Sequence, residues 1–589
     1  MLSKDQIRLI SLHPASADVA ATAPIECDIE IVELSAKPEY EAVTYVWGTE
    51  SASASVELAG RTVPISPTLH NALLRFRRPD RKRTLWIDQL CIKQDDLDEK
   101  MQQVRLMRTI YSSCTQCVVW MGEMRQNLTL ADADAAFQFL RCMGEVAQTG
   151  NQNIDLPAVI RDNMDGMNRA LMSVGSQENQ WWNRVWTVQE ACLPKHRTIQ
   201  WGPLTLPWTI LDAASWTWTS TVWGHDTLPR ETFEALGHIM VHTIWLRHSR
   251  EGSDSIFHEI HKWRFRQAKN SLDKVYGLLG ICEPGRLPLT ERCDYSVSPA
   301  HMFATLTREM ILDHGGLQPL TPYPRQDRSV TTPDNPSWAV DLRSTALKDA
   351  PDMYYQIHGY YFYDANKHLG AIDLDRIRSE MGQDVLTLDG VCVGTIERVE
   401  PGYRPSRNRE DNFPNTEALL PAWYRTAMLV EGRRELSEST MYPGGGGRYT
   451  RKEAFLRLVL GDVMRNREQD FERDVSGPDL DDVEKMMEQK GAHVPYETRF
   501  TAYGMMANQN LFMTSNGLMG IGHIDVRAGD EVWIFKGGKV PFAIRPQAVE
   551  AGSGYSFLGH CYVQGVMRGE VGAGIVPKVD LVERTVCLW

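Results

Sequence analysis

The feature that most constrains this chain is an alternation over its first third, where short β-prone runs exchange with stretches carrying apolar residues at helical spacing. "EAVTYVWG" (41–48) is a strand signal ending in a glycine turn, and "TLWID" (84–88) is a buried strand ending in a carboxylate. "CVVWMG" (117–122) and "TIQWG" (198–202) make a third and a fourth. Between the first two lies "SVELAGRTVPIS" (55–66), a hairpin turning at Ala59-Gly60. A helix over 67–78 follows, with Pro67 in its first turn and Leu69, Leu73 and Phe76 on one face. Asp96 with Glu99 predicts a capping box, ahead of Met101, Val104, Met107 and Tyr111 at helical spacing. Residues 123–179 predict two helices and a polar loop, and 181–193 a further helix. Strands joined through helices pair in parallel, so the order predicts an α/β domain: a mostly parallel sheet with helices on both faces.

A chain of 589 residues is too long for one hydrophobic core. Residues 205–318 are helix-dominated, including "ETFEALGHIMVHTIWLRH" and "SLDKVYGLLGI". At 320–336 the composition turns to Pro, Thr and Asp, a boundary signal. Strands (385–399), a helical middle (416–490) and short strands with Gly and Pro turns (511–570) follow. The expected division is an α/β domain over 1–204, a helical extension over 205–325 and an α+β module rich in short strands over 326–589. "GGGGR" (444–448) lacks a following Lys-Ser/Thr and reads as a flexible loop rather than a P-loop.

A formal charge of −13 argues against a nucleic-acid partner, which needs a basic face. The densest basic run, "RFRRPDRKR" (75–83), reads as a solvated loop. Eleven cysteines, an odd count without framework spacing, point to reduced thiols. Cys114 and Cys117 form one C-x-x-C with no second pair, which does not make a zinc site. The charged start "MLSKDQIRLISLHP" is no signal peptide, and no run reaches the ~18 apolar residues of a membrane span. The expectation is a cytoplasmic protein without membrane contact.

Ligands of α/β sheets bind at the carboxyl ends of strands. Three features belong there: Trp47-Gly48 after the first strand, Asp88 after the second, and Glu190 ahead of the fourth. On a continuous helix, Trp182, Trp186 and Glu190 stand at i, i+4 and i+8 along one face, with Arg184 to the side. Two readings stay open. The tryptophans are core and Glu190 faces solvent, or the indoles wall a dry site for a planar, cationic or heteroaromatic ligand. Asp88 likewise reads as a site residue or as the cap of the next helix. Glu234, His238 and His242 have metal-compatible spacing but no evident fourth ligand, and read as partially exposed helix residues. Neither G-x-S-x-G nor a G-x-G-x-x-G after a strand is present.

Three blocks, "YEAVTYVWG", "LWIDQLCIKQDDLDEKMQQVRLMRTIYSSCTQCVVWMGE" and "WWNRVWTVQEACL", together resemble the fungal heterokaryon-incompatibility (HET) domain, in its order, over residues 40–193. Softer echoes follow in "NSLDKVYGLLGI", "PSWAVDL", "AGDEVWIFKGGKVPFAIRP" and "GHCYVQGVMRGE". HET domains are similar to TIR domains, a flavodoxin-like α/β fold whose catalytic members cleave NAD. The resemblance implies a catalytic Glu190 and a substrate surface of Tyr45, Trp47, Gly48, Asp88, Trp182, Arg184 and Trp186. NAD would be substrate rather than cofactor, and no metal is implied. The implied activity is NAD glycohydrolysis linked to cell death in non-self recognition, with self-association on activation and an incompatibility partner protein. The alternative is a non-catalytic module that signals by assembly. The resemblance also points to the loop "QLCIKQDDLDE" (89–99) as a docking surface for a neighbouring copy. Its apolar Leu90, Cys91 and Ile92 read equally as a foot tucked into their own domain. The insertion at 123–179 and Gln89-Leu90-Cys91 after Asp88 depart from a minimal TIR pattern.

Overall fold

Ala42 and Val43 point to opposite faces of one strand and both are fully buried, so layers cover that strand on both sides. In the computed structural model this strand, β3 (Glu41–Thr44), runs parallel to β7 (Gln116–Trp120), with Glu41 opposite Gln116 and Thr44 opposite Val119. The structure describes residues 2–15, 24–48, 53–149, 156–176, 179–220, 228–252, 255–321, 334–343, 362–404, 412–429, 436–466, 471–488, 494–549 and 552–589. The chain divides into two units, Met1–Ser296 and Val297–Trp589.

The first unit is built on a nine-stranded sheet. Its other strands are β1 (Gln6–Leu12), β2 (Glu26–Glu33), β4 (Ala54–Leu58), β5 (Arg61–Ile65), β6 (Arg83–Trp86), β8 (Arg197–Trp201) and β9 (Leu204–Pro207). They lie in the order β5-β4-β2-β1-β6-β3-β7-β8-β9. The centre, β6-β3-β7-β8, is parallel. Numbered by their place in the chain, these four run 2-1-3-4, the flavodoxin-like arrangement whose crevice opens where the order reverses. Antiparallel pairings flank this centre: β6 with β1 and β1 with β2 on one side, and β8 with β9 on the other. The charged N-terminus, read only as the absence of a signal peptide, is therefore a strand beside β6.

The expected hairpin forms, with Ala59 and Gly60 both at positive φ as a two-residue turn between right-twisted strands requires. Helix α1 (Pro67–Phe76) starts under the Ser66 side chain, which accepts from the amide of Leu69. A short α2 (Asp88–Cys91) precedes α3 (Leu97–Ser113). Only half of the expected capping box forms. Asp96 accepts from the Glu99 amide, but the Glu99 carboxylate turns away to the Arg8 guanidinium, at 2.5 and 2.9 Å, and to the amide of Lys93. The insertion carries the two expected helices, α4 (Leu130–Thr149) and α6 (Met164–Gly175), with a single turn, α5 (Ala158–Arg161), between them. The basic run is not simply solvated: Arg83 and Arg78 meet Glu41, Arg75 meets Glu123, and Lys82 meets Asp28.

Residues 205–296, expected as part of a separate extension, belong to this first unit, whereas the helix Pro299–His314 belongs to the second. The boundary signal at 320–336 falls largely on residues 322–333, outside the described residues. In the second unit a closed ring of strands forms: Leu386–Glu400, Gln509–Thr514, Met519–His523, Gly552–Val563, Phe542–Val549 and Glu531–Phe535, each paired with the next and the last with the first. Closure removes the exposed edges of an open sheet. "GGGGR" is a packed turn rather than a flexible loop: Gly444 and Gly445 are buried, and the Gly445 amide donates to Gly565 at 2.9 Å. No helix among the described residues is long and apolar enough to cross a membrane.

Candidate functional site

Residues 181–193 do not form one helix. A 3-10 turn, Gln180–Asn183, capped by the Asn179 side chain, is followed by extended backbone at Arg184, and α7 spans only Thr187–Cys192. Tertiary pairing causes the break. The Gln267 amide donates to the Asn183 carbonyl at 2.5 Å, and the Val185 amide donates to the Gln267 carbonyl at 3.0 Å. These two bonds form a parallel bridge between Arg184 and Gln267, and backbone satisfied this way cannot continue a helix.

The expected i, i+4, i+8 face is therefore absent, and the tryptophans separate. Trp182 is 0% exposed, donates its indole hydrogen to the Val174 carbonyl at 2.9 Å and packs against Trp208 and His242. It is core. Trp181 is the indole that approaches the carboxylate: its Nε1 donates to Thr44 Oγ1 at 3.0 Å, and that hydroxyl donates in turn to Glu190 Oε2. Thr44 ends β3, so the strand terminus carries the contact. Glu190 is 2% exposed rather than solvent-facing. Burial pushes its carboxyl up to about 7, further helped by the charge of Asp88 and opposed by Arg184 and the Thr44 hydroxyl.

Asp88 is the first residue of α2 rather than its cap: the N-cap position is Ile87, which makes no side-chain capping bond. Asp88 Oδ1 accepts from the Gln89 amide at 2.8 Å, and its Oδ2 accepts from the Trp47 indole at 2.8 Å. Burial raises its carboxyl, against the pull of Arg184 and these hydrogen bonds. Tyr45 is buried, with its hydroxyl donating to Gln89 Oε1 at 3.0 Å. Arg184 reaches across to the Tyr45 carbonyl, tying the segment ahead of α7 to the residue after β3. Gly48 holds a φ of +82°, which closes the turn after Trp47, and a Cβ there would stand 3.3 Å from Thr68 Oγ1. Tyr45, Trp47, Asp88, Arg184 and Glu190 thus converge at the carboxyl end of β3, where the strand order reverses.

Trp186 lies apart from Trp182, half-buried against α8 (Asp273–Leu279), the "NSLDKVYGLLGI" segment. Two glycines permit that approach: a Cβ on Gly277 would stand 2.9 Å from Val185, and one on Gly280 would stand 1.8 Å from Gln189 Oε1. The Trp186 side chain and the Tyr295 hydroxyl (2.7 Å) both act on Asp273, whose carboxyl is raised by burial and opposed by these contacts. Thr44, Trp181 and Asp273 are the residues that sequence reading missed. Thr44 and Trp181 stand inside the quoted blocks, but only the strand's end and the break at 184 reveal what they touch.

The loop after β6 resolves in favour of the tucked foot: Leu90, Cys91 and Ile92 are buried in the core of their own unit. Glu234 is exposed and bonded to Arg230, while His242, expected to be partially exposed, is buried among aromatic rings. No group of three His, Cys, Asp or Glu residues able to hold a metal is found among the described residues. Cys114 and Cys117 are both buried.

The heterokaryon incompatibility protein (HET) family model matches residues 40–190, which contain β3, the Thr44 hydroxyl and Glu190. The chain is a fungal HET-domain protein. The Het-6 beta-barrel domain matches residues 450–575. The ring of the second unit is completed by Leu386–Glu400, which lies before that match. Heterokaryon incompatibility protein 6, OR allele, of Neurospora crassa is 25% identical, covering 96% of this chain and 94% of its own length. No solved structure matches. The HET match stops at Glu190, so Gly277, Gly280 and Asp273, which pack against the site segment, lie outside it.

Proposed function

We propose that this HET-domain protein is an NAD glycohydrolase acting in heterokaryon incompatibility and its associated cell death, with Glu190 as its catalytic residue. Heterokaryon incompatibility is the setting named by the family match and by the Neurospora relative. The observation that carries the catalytic reading is Glu190 itself: one buried carboxylate, titrating near 7, at the strand end where flavodoxin-like sheets hold ligands.

One carboxylate suffices for this chemistry. Glycosidases ordinarily need a second carboxyl group to protonate the leaving oxygen. The leaving ring of NAD is already a pyridinium cation; it takes the electron pair of the C1′–N bond and departs as neutral nicotinamide. Ionised Glu190 then stabilises the positive charge developing at C1′ and orients the water that adds there. Trp47 and Trp186 are half-buried and offer flat surfaces to the rings, and Arg184 offers a cation to the diphosphate. Asp88 and Tyr45 hold the turn at Trp47-Gly48 in place. NAD enters as substrate, and the reaction needs no cofactor.

A carboxylate 2% exposed meets a ribose only after the residues packed around it move apart. The competent state is then rare in a resting chain and is favoured by self-association or by an incompatibility partner, through mass action. Incubation of the purified chain with NAD tests the reading. Release of nicotinamide by the wild type and its loss in Glu190→Gln support it; no release at any concentration overturns it and leaves a module that signals by assembly alone.

A further inference from the structure

We propose that Thr44 is a positioning residue for this reaction: oriented by Trp181, its hydroxyl holds one oxygen of Glu190 and leaves the other for the substrate. The inference rests on the glycohydrolase reading and adds which oxygen works and what holds it.

The direction of the relay follows from donor chemistry. An indole N–H can only donate, so at 3.0 Å from Trp181 Nε1 the Thr44 oxygen is an acceptor. Its single hydrogen is left for Glu190 Oε2. A proton on Oε2 would put two hydrogens between the same pair of oxygens, so Glu190 protonates at Oε1. Among the described residues no donor reaches Oε1. Trp181, Thr44 and Glu190 are all at most 2% exposed, which removes solvent as a competitor for the two hydrogen bonds. A β-branched residue at a strand end has a stiff χ1, and the pairing of Thr44 opposite Val119 fixes its backbone. The hydroxyl is thus held before any substrate arrives, and a held group costs nothing to reorganise during the reaction.

In the step itself the C1′–N bond breaks with its electron pair going to the ring, a C1′–O bond forms to water, and Oε1 takes the proton that water loses. Oε2 stays with Thr44 throughout. Glu190 then releases its proton to solvent as nicotinamide and ADP-ribose leave.

Thr44→Val keeps the shape and removes the donor, and Thr44→Ser restores it. Nicotinamide release measured against pH should show the alkaline-rising limb of Thr44→Val displaced upward by about one pH unit, with KM little changed. Below the inflection that is about a tenfold loss, and Thr44→Ser should return to the wild-type curve. A wild-type inflection in Thr44→Val, or a serine variant as impaired as the valine one, overturns the proposal. A second measurement needs no turnover. The drop in Tm caused by Thr44→Val should grow between about pH 5 and about pH 9 in the wild-type background and stay flat in a Glu190→Gln background. A drop that is flat in both backgrounds overturns the relay. A wild type that releases no nicotinamide counts against the glycohydrolase reading alone.

Discussion

Gly280 stands so close to Gln189 that a Cβ in its place would lie 1.8 Å from Gln189 Oε1. Gln189 is buried and donates to the Tyr276 carbonyl at 2.8 Å, so the glycine lets α8 seat the helix that carries Glu190. Gly280→Ala should cost about 1–3 kcal/mol, since the side chain it displaces has nowhere to relax. Gly477, where a Cβ meets nothing within 4 Å, should tolerate the same change. Denaturant unfolding of the two variants decides; equal stabilities would mean that Gln189 is free to move.

The proton on Glu190 links stability to pH. Its carboxyl holds that proton to about 7 in the folded chain, against 4.5 ordinarily. Between those values the folded state binds more proton than the unfolded state, so stability falls as pH rises through the window and stays low above it. At about 1.4 kcal/mol per unit the penalty is about 3 kcal/mol. Glu190→Gln should therefore raise Tm above about pH 8, with the gain vanishing near about pH 5, while abolishing nicotinamide release. A variant less stable than wild type at both pH values would contradict the account.

Trp182 and Trp186 should part company on substitution. Trp182 is core, and Trp182→Ala should cost about 3–5 kcal/mol. Trp186 is half-buried beside Asp273, so Trp186→Ala should lose less stability and show its main effect as a raised KM for NAD. Thermal melts with steady-state kinetics on both variants check this. Equal losses of Tm would return Trp186 to the core.

Arg8 and Glu99 join β1 to α3, with Glu99 2% exposed and Arg8 19%. Arg8→Ala leaves a buried carboxylate without its cation and should cost about 3–5 kcal/mol. Arg8→Met with Glu99→Leu should recover most of that loss, because the desolvation penalty disappears with the pair. A double variant no better than the single one would show that the pair contributes more than it costs to bury.

Opening should depend on concentration. If assembly stabilises the competent state, nicotinamide release per chain should fall on dilution as light scattering shows dissociation. Constant specific activity from an unchanging monomer would remove assembly as the trigger.

Much of the first unit was legible because its signals are local. Period-two and period-3.6 patterns, Pro67 in a first turn and Ala59-Gly60 in a hairpin depend on neighbours within a few residues. β1 was not legible as a strand, since its polar side chains find partners only once α3 is placed beside them, as Arg8 finds Glu99. The same holds for Glu41, which gathers Arg78 and Arg83 from a run that looked solvated.

The candidate site divides in the same way. The sequence by itself determined that Glu190 precedes the last parallel strand, that Trp47-Gly48 follows the first, and that tryptophans stand near both. It did not determine which indole meets the carboxylate. A helical reading through 181–193 selects Trp182 and Trp186, because spacing along one helix is all that a local pattern contains. The pairing of Arg184 with Gln267 breaks that helix, turns Trp182 into the core and brings Trp181 to Thr44. Hydrogen bonds between segments some eighty residues apart thus decided the geometry around Glu190, since buried backbone groups must find partners wherever the fold supplies them.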